Sequence, residues 1–176
     1  TGPAPPQIYG GNSLGSAQSL PRDLFMDPKT SKLVQRFASE LQTLRKTSKP
    51  ELLVCCGHAG STSVVSMGIT PAELIVRFPE ECSLAPPGPN DAMCGFEVLG
   101  NGGSSLVFTM DTTRNLLMLN GTTLGNPDVR AGPIPPAADP SASDFAWTVH
   151  MIVDHSIVEL IVNDETAFVM YVAPVK

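Results

Sequence analysis

Residues 145–154 read Phe145-Ala146-Trp147-Thr148-Val149-His150-Met151-Ile152-Val153-Asp154, and this stretch decides the fold. Phe145, Trp147, Val149, Met151 and Val153 occupy every second position, with Ala146, Thr148, His150, Ile152 and Asp154 between them. Successive side chains of a strand point to opposite faces of a sheet, so a period of two predicts a strand with one apolar face. Two more β-rich runs follow, 157–162 and 166–173, joined by the turn residues Asn163-Asp164-Glu165, which together predict an antiparallel meander.

Working back toward the N-terminus, short β-rich runs at 51–56, 72–78, 94–99, 105–111 and 115–119 are separated by Gly, Pro, Asn and Asp. A Pro-rich connection over 126–143 leads into the meander. At least eight strands predict an all-β fold, a two-sheet antiparallel β-sandwich of the concanavalin or lectin-like kind. In front of it Leu33, Phe37, Leu41 and Leu44 recur at spacings of four, four and three, which predicts one short helix. Arg45 and Lys46 suit its last turn and Pro50 ends it. The division expected is a linker with that helix over 1–50 and a sandwich domain over 51–176.

The composition agrees with many short β connections. The chain has 176 residues, with 15 Gly, 17 Pro and only 16% charged residues, which excludes a coiled coil or an acidic disordered tail. A net charge of −6 leaves no basic face for phosphates, so neither nucleic acid nor an anionic membrane is expected as a partner. No apolar run is long enough to span a bilayer, and the first ten residues lack the basic start and apolar centre of a signal peptide.

Candidate chemistry is sparse. Gly11-Asn12-Ser13-Leu14-Gly15 has the spacing of a hydrolase nucleophile elbow but neither the strand before it nor the helix after it, so a Gly/Ser loop is the better reading. His58 falls in a loop, His150 in the alternating strand and His155 at a tight link, and none has metal-ligand spacing with a second His, Cys or carboxylate. No cofactor and no metal are expected. Glu80, Glu81, Asp91, Asp111, Asp154 and Glu159 supply carboxylates, yet no two form a recognisable pair for acid/base work on a sugar.

Glu159 shares its strand face with Ile157 and Ile161, so it is expected half-buried and paired, in a structural or interface role. Cys82 and Cys94 bracket a Pro-rich loop and are candidates for a disulfide in an oxidising compartment, with reduced buried thiols as the alternative. Asn120-Gly121-Thr122 is a glycosylation acceptor triplet, relevant only in a secreted chain.

Two blocks carry a resemblance. Gln18-Ser19-Leu20-Pro21-Arg22-Asp23-Leu24, with Asp27-Pro28-Lys29-Thr30 and Glu40-Leu41-Gln42-Thr43-Leu44-Arg45 after it, resembles the segment that leaves the catalytic propeller in glycoside hydrolase family thirty-two, the invertases and β-fructofuranosidases. The run from Val149 to Asp164, with Asp154, Ser156 and Glu159 in an Asp-x-Ser-x-x-Glu core followed by Asn163-Asp164, looks like that family's C-terminal signature. This chain has Glu165 where the family often has Gly, and His155 where it often has Arg.

The resemblance implies the C-terminal β-sandwich of a β-fructofuranosidase-like protein, with an outgoing propeller strand within 1–50. Its implied partner is an N-terminal catalytic β-propeller that hydrolyses fructosyl bonds of sucrose or fructans, and its implied location is secreted or vacuolar. Arg22, Asp154, Ser156 and Glu159 are then structural or interface residues. The family's first two carboxylate motifs are absent, and Glu81-Cys82 copies the third in the sandwich region, so no catalytic residue is assigned and the chain alone is expected to be inactive. Homo-oligomer contacts and carbohydrate are further candidate partners, and a free-standing carbohydrate-binding or adhesion module is the alternative function.

Overall fold

A computed structural model describes residues 19–44, 51–54, 72–80, 94–99, 105–123, 126–139, 141, 143–154 and 157–171. The described residues are nearly all β. Strands β1 (Arg22–Met26) and β2 (Leu33–Phe37) form a two-stranded ribbon. The remaining strands are β3 (Glu51–Val54), β4 (Ala72–Phe78), β5 (Cys94–Leu99), β6 (Ser105–Asp111), β7 (Leu116–Thr123), β8 (Asn126–Pro133), β9 (Trp147–Asp154), β10 (Ile157–Val162) and β11 (Thr166–Tyr171). They form a five-stranded sheet ordered β11-β10-β9-β4-β3 and a four-stranded sheet ordered β5-β6-β7-β8, in a β-sandwich.

The alternation in β9 explains the layering. Trp147, Val149, Met151 and Val153 are buried while Thr148, His150 and Ile152 on the other face are half-buried. Leu74, Val76 and Phe78 of β4 and Val158, Leu160 and Val162 of β10 point the same way. Against them pack Leu106, Phe108, Met110, Leu117 and Leu119 of the second sheet, with Phe96 stacked on Phe108 at 5.1 Å between ring centroids. β5 lies so close to β6 that a Cβ on Gly95 would run into the carbonyl oxygen of Phe108, so only glycine fits there.

Three features differ from the sequence expectation. Leu33–Phe37 is a strand, and only a six-residue 3-10 helix, Ser39–Leu44, follows it. The Asp27 turn is responsible. Its carboxylate accepts hydrogen bonds from the Lys29 amide (2.9 Å) and the Thr30 hydroxyl (2.7 Å), while Ser31 adopts a left-handed φ of 56°. The chain therefore reverses, and β1 supplies the backbone partners that a helix would otherwise provide. Leu33 is exposed and Val34 buried, so the helical stripe is not the buried face. The expected last-turn residues Arg45 and Lys46, and Pro50, lie outside the described residues.

Second, the Pro-rich connection begins with strand β8. Among the described strands it pairs with β7 alone and so, at the sheet's edge, tolerates Pro127 and Pro133. Third, β3 pairs with β4 in parallel rather than antiparallel, at the far edge of the five-stranded sheet. Residues 55–71 lie between them, long enough for the crossover that a parallel pair requires.

The Asp27 turn makes a pH prediction. Hydrogen bonds from the Lys29 amide, then from the Thr30 side chain, hold the Asp27 carboxyl below its ordinary value of 3.8. A carboxyl depressed in the folded state contributes stability above its unfolded pKa and loses it as pH falls through the folded one. In an NMR titration the Lys29 amide is expected to shift with a midpoint below 3.8. A midpoint at or above 3.8 contradicts this turn.

Candidate functional site

The outer face of the five-stranded sheet is where the ribbon docks. Glu159 on β10 points to that face and is only 1% exposed, deeper than the half-burial expected from its apolar neighbours. Both of its oxygens are used: the Leu20 amide donates to Oε1 at 2.6 Å, and Arg22 donates from Nη2 to Oε2 at 2.9 Å. Arg22 also donates from Nη1 to the Gln35 side chain at 3.1 Å, and its Nε is buried with no partner. A carboxylate withdrawn from water needs such partners, because desolvation of an unpaired one costs several kcal/mol.

From Arg22 the contacts continue across the sheet. The guanidinium lies 6.0 Å from the centre of the Phe37 ring, and that ring meets His150 of β9 edge to face at 4.9 Å. His150 Nε2 is 2.6 Å from Glu73 Oε1 on β4. One end of the ribbon thus touches β10 and β9 directly and is linked to β4 through His150.

The other half of the seat is the β10–β11 turn. Asn163 and Asp164 both adopt left-handed backbone, with φ of 44° and 59°, which short polar side chains tolerate best. The Asn163 side chain accepts from the Thr148 amide and donates to the carbonyls of Pro136 and Ala146, fixing the turn against β9. The turn then presents its own carbonyls to β2: the Gln35 amide donates to Asp164 O at 2.7 Å and the Gln35 side chain donates to Glu165 O at 2.8 Å. Arg36 pairs with Asp164 at 2.6 Å and Lys32 with Glu165 at 3.0 Å. These two pairs are solvent-exposed and each contributes about 1 kcal/mol or less, whereas Arg22–Glu159 is buried, so that removing either partner leaves an uncompensated charge.

The other sequence candidates fall apart in space or outside the described residues. Asp154 ends β9 and is exposed, Asp111 is buried at the end of β6 and accepts from the Arg114 amide, and Asn120 lies mid-strand in β7. Cys94 opens β5, whereas Cys82, Ser156, Ser13, His58, His155, Glu81 and Asp91 lie outside the described residues, as does the loop that the Cys82–Cys94 bridge would close. Lys32, Gln35 and Arg36 were not singled out from the sequence, and Phe37 only as a position of the expected helical stripe. The signal available was opposite charge, Lys32 and Arg36 against Asp164 and Glu165.

Chemically the site is a clamp. Glu159 is sealed beneath Arg22 and the Leu20 amide, so it has no room for a proton-transfer partner or a substrate. Among the described residues no group of three His, Cys, Asp or Glu side chains is placed to hold a metal ion, and no helix is long and apolar enough to cross a membrane. A shallow groove of about 560 Å³ lies elsewhere, lined by Glu80, Thr112, Asn115, Pro135, Pro136 and Trp147. The Trp147 ring is buried and its indole N–H donates to Pro135 O at 3.0 Å, so that ring offers no stacking platform for a sugar.

The fold and the clamp define a β-sandwich with an N-terminal ribbon locked onto its outer face. No family model matches the chain. No curated protein matches it either.

Proposed function

We propose that this chain is the C-terminal β-sandwich module of a β-fructofuranosidase-like glycoside hydrolase. Its part is to pack on and stabilise a catalytic β-propeller, which hydrolyses the fructosyl bonds of sucrose or fructans with its own carboxylates. The supporting observation is that the two blocks resembling that family, 137 residues apart in sequence at Arg22 and Glu159, meet in one buried ion pair. A segment leaving another domain needs a fixed anchor on the module it enters, and Leu20, Arg22 and Gln35 make that anchor.

The 176-residue chain incubated with sucrose and with inulin is expected to release no fructose. Turnover that disappears on replacing one of its own carboxylates would overturn the proposal. So would an upstream coding sequence that encodes no β-propeller.

A further inference from the structure

Asn120-Gly121-Thr122 is the one Asn-x-Ser/Thr triplet in the chain, and the clamp makes no use of it. It falls in β7, which pairs with β6 on one side and β8 on the other. Leu117 and Leu119 are buried between the sheets. Alternation therefore puts Asn120, the next residue along, on the outer face of the four-stranded sheet, where it is half-buried.

The register seats Asn120 between two valines. Glu97 pairs with Val107, Val107 with Asn120 and Asn120 with Val129, so these four stand in one row across the sheet. Thr109, Met118 and Ala131 stand in the next row on the same face. Glu97 is the one charged residue in the two rows, and Val129 is 55% exposed. The ribbon lies on the outer face of the other sheet, so it leaves this apolar face uncovered.

We propose that Asn120 is an N-glycosylation site and that its glycan covers the outer face of the four-stranded sheet. This inference is independent of the function proposed above. The triplet is the acceptor sequence for such a transfer, and the attached sugar is bulky and solubilising, which suits a root between Val107 and Val129 on an open apolar face. The co-reactant is an oligosaccharide linked to a lipid pyrophosphate. Asn120 Nδ2 bonds to the anomeric carbon of the sugar, and the bond from that carbon to the pyrophosphate oxygen breaks. The lipid pyrophosphate leaves with the electron pair, and one Nδ2 proton passes to solvent. The fold also sets the order of events. In the finished sheet the triplet is paired with β8 throughout and with β6 up to Gly121, so a transferring enzyme would have to strip both partners to grip it. Transfer therefore precedes the closure of β8 onto β7, and the side chain's outward position then lets the strand pair with the sugar in place.

The test expresses the 176-residue chain behind a secretory leader in eukaryotic cells, as wild type, Asn120→Gln, Thr122→Ala and Thr122→Ser. Wild type and Thr122→Ser, which keeps the acceptor triplet, are expected to give a slower gel band that collapses to the unmodified position after N-glycosidase treatment. Asn120→Gln and Thr122→Ala are expected to give the unmodified band alone. Mass spectrometry of the tryptic peptide 115–130 locates the sugar, with a sample kept from the glycosidase to account for spontaneous deamidation at Asn120-Gly121. Circular dichroism of Asn120→Gln is the folding control. The same variant, folded but bare, is expected to bind at least twice as much of a dye for exposed apolar surface as the glycosylated wild type. A wild-type chain secreted without sugar on peptide 115–130 overturns the site, as does a bare Asn120 in the protein purified from its natural source. Equal dye binding by the glycosylated wild type and folded Asn120→Gln overturns the covering of the face.

Discussion

Replacing Glu159 with alanine is expected to destabilise the chain by about 3–5 kcal/mol, the cost typical of removing one partner from a buried ion pair. The cause is what remains. The Arg22 side chain, 17% exposed, keeps its charge with only Gln35 to bond, and the Leu20 amide loses its acceptor. For a chain of this size each kcal/mol lowers the melting temperature by about 2–4 °C, so a fall of about 6–20 °C is expected. Urea unfolding of Glu159→Ala, Arg22→Met and the double variant measures the coupling. The double variant is expected to recover much of the loss, because no unpaired charge is left buried. A loss below 1 kcal/mol in Glu159→Ala would show that the ribbon is held by something other than this pair.

Phe108→Ala is expected to cost a similar 3–5 kcal/mol by a different route, an unfilled cavity between the sheets. Phe108 is fully buried on β6 and its ring neighbours Phe96 at 5.1 Å and Phe78 of the opposite sheet at 6.2 Å. Because Phe108 lies in the inter-sheet core and Glu159 on the outer face, with no shared partner, the two losses should add to within about 0.5 kcal/mol. Strong non-additivity in denaturant unfolding would mean that the ribbon and the sandwich core are not separate layers.

The sandwich was legible because its strands keep strict alternation where one face meets the core. Trp147, Val149, Met151 and Val153 are buried in that order, and the expected runs at 72–78, 94–99, 105–111 and 157–162 coincide with observed strands. The ribbon was not legible from periodicity. Leu33, Phe37 and Leu41 mimic a helical stripe, and five residues of strand are too few to outvote it. What separates the readings is the Asp27 turn, an interaction of side chain with backbone that apolar spacing does not register. β8 was missed because proline argues against a strand anywhere except an edge, and edge position is a tertiary property.

At the site, sequence reasoning picked Arg22 and Glu159 through two separate blocks. Nothing local joined them, since the contact spans 137 residues. The turn residues Asn163 and Asp164 announced a reversal, but not that their carbonyl and carboxylate face would serve as the landing place for β2. The Glu165 side chain, where the resembling family often has glycine, finds its counter-charge in Lys32.

The long reach of the Arg22–Glu159 contact has a consequence for how the molecule is made. During synthesis Arg22 emerges 137 residues ahead of its partner, which at about 5–20 residues per second is a wait of roughly 7–30 s. Throughout that interval the ribbon has no buried carboxylate to lock onto and its apolar side chains are available to chaperones and proteases. A message that stops short of Glu159 therefore yields a chain whose N-terminal arm is never fastened. The strand that carries Glu159 is thus a late-arriving latch for a segment synthesised 137 residues earlier.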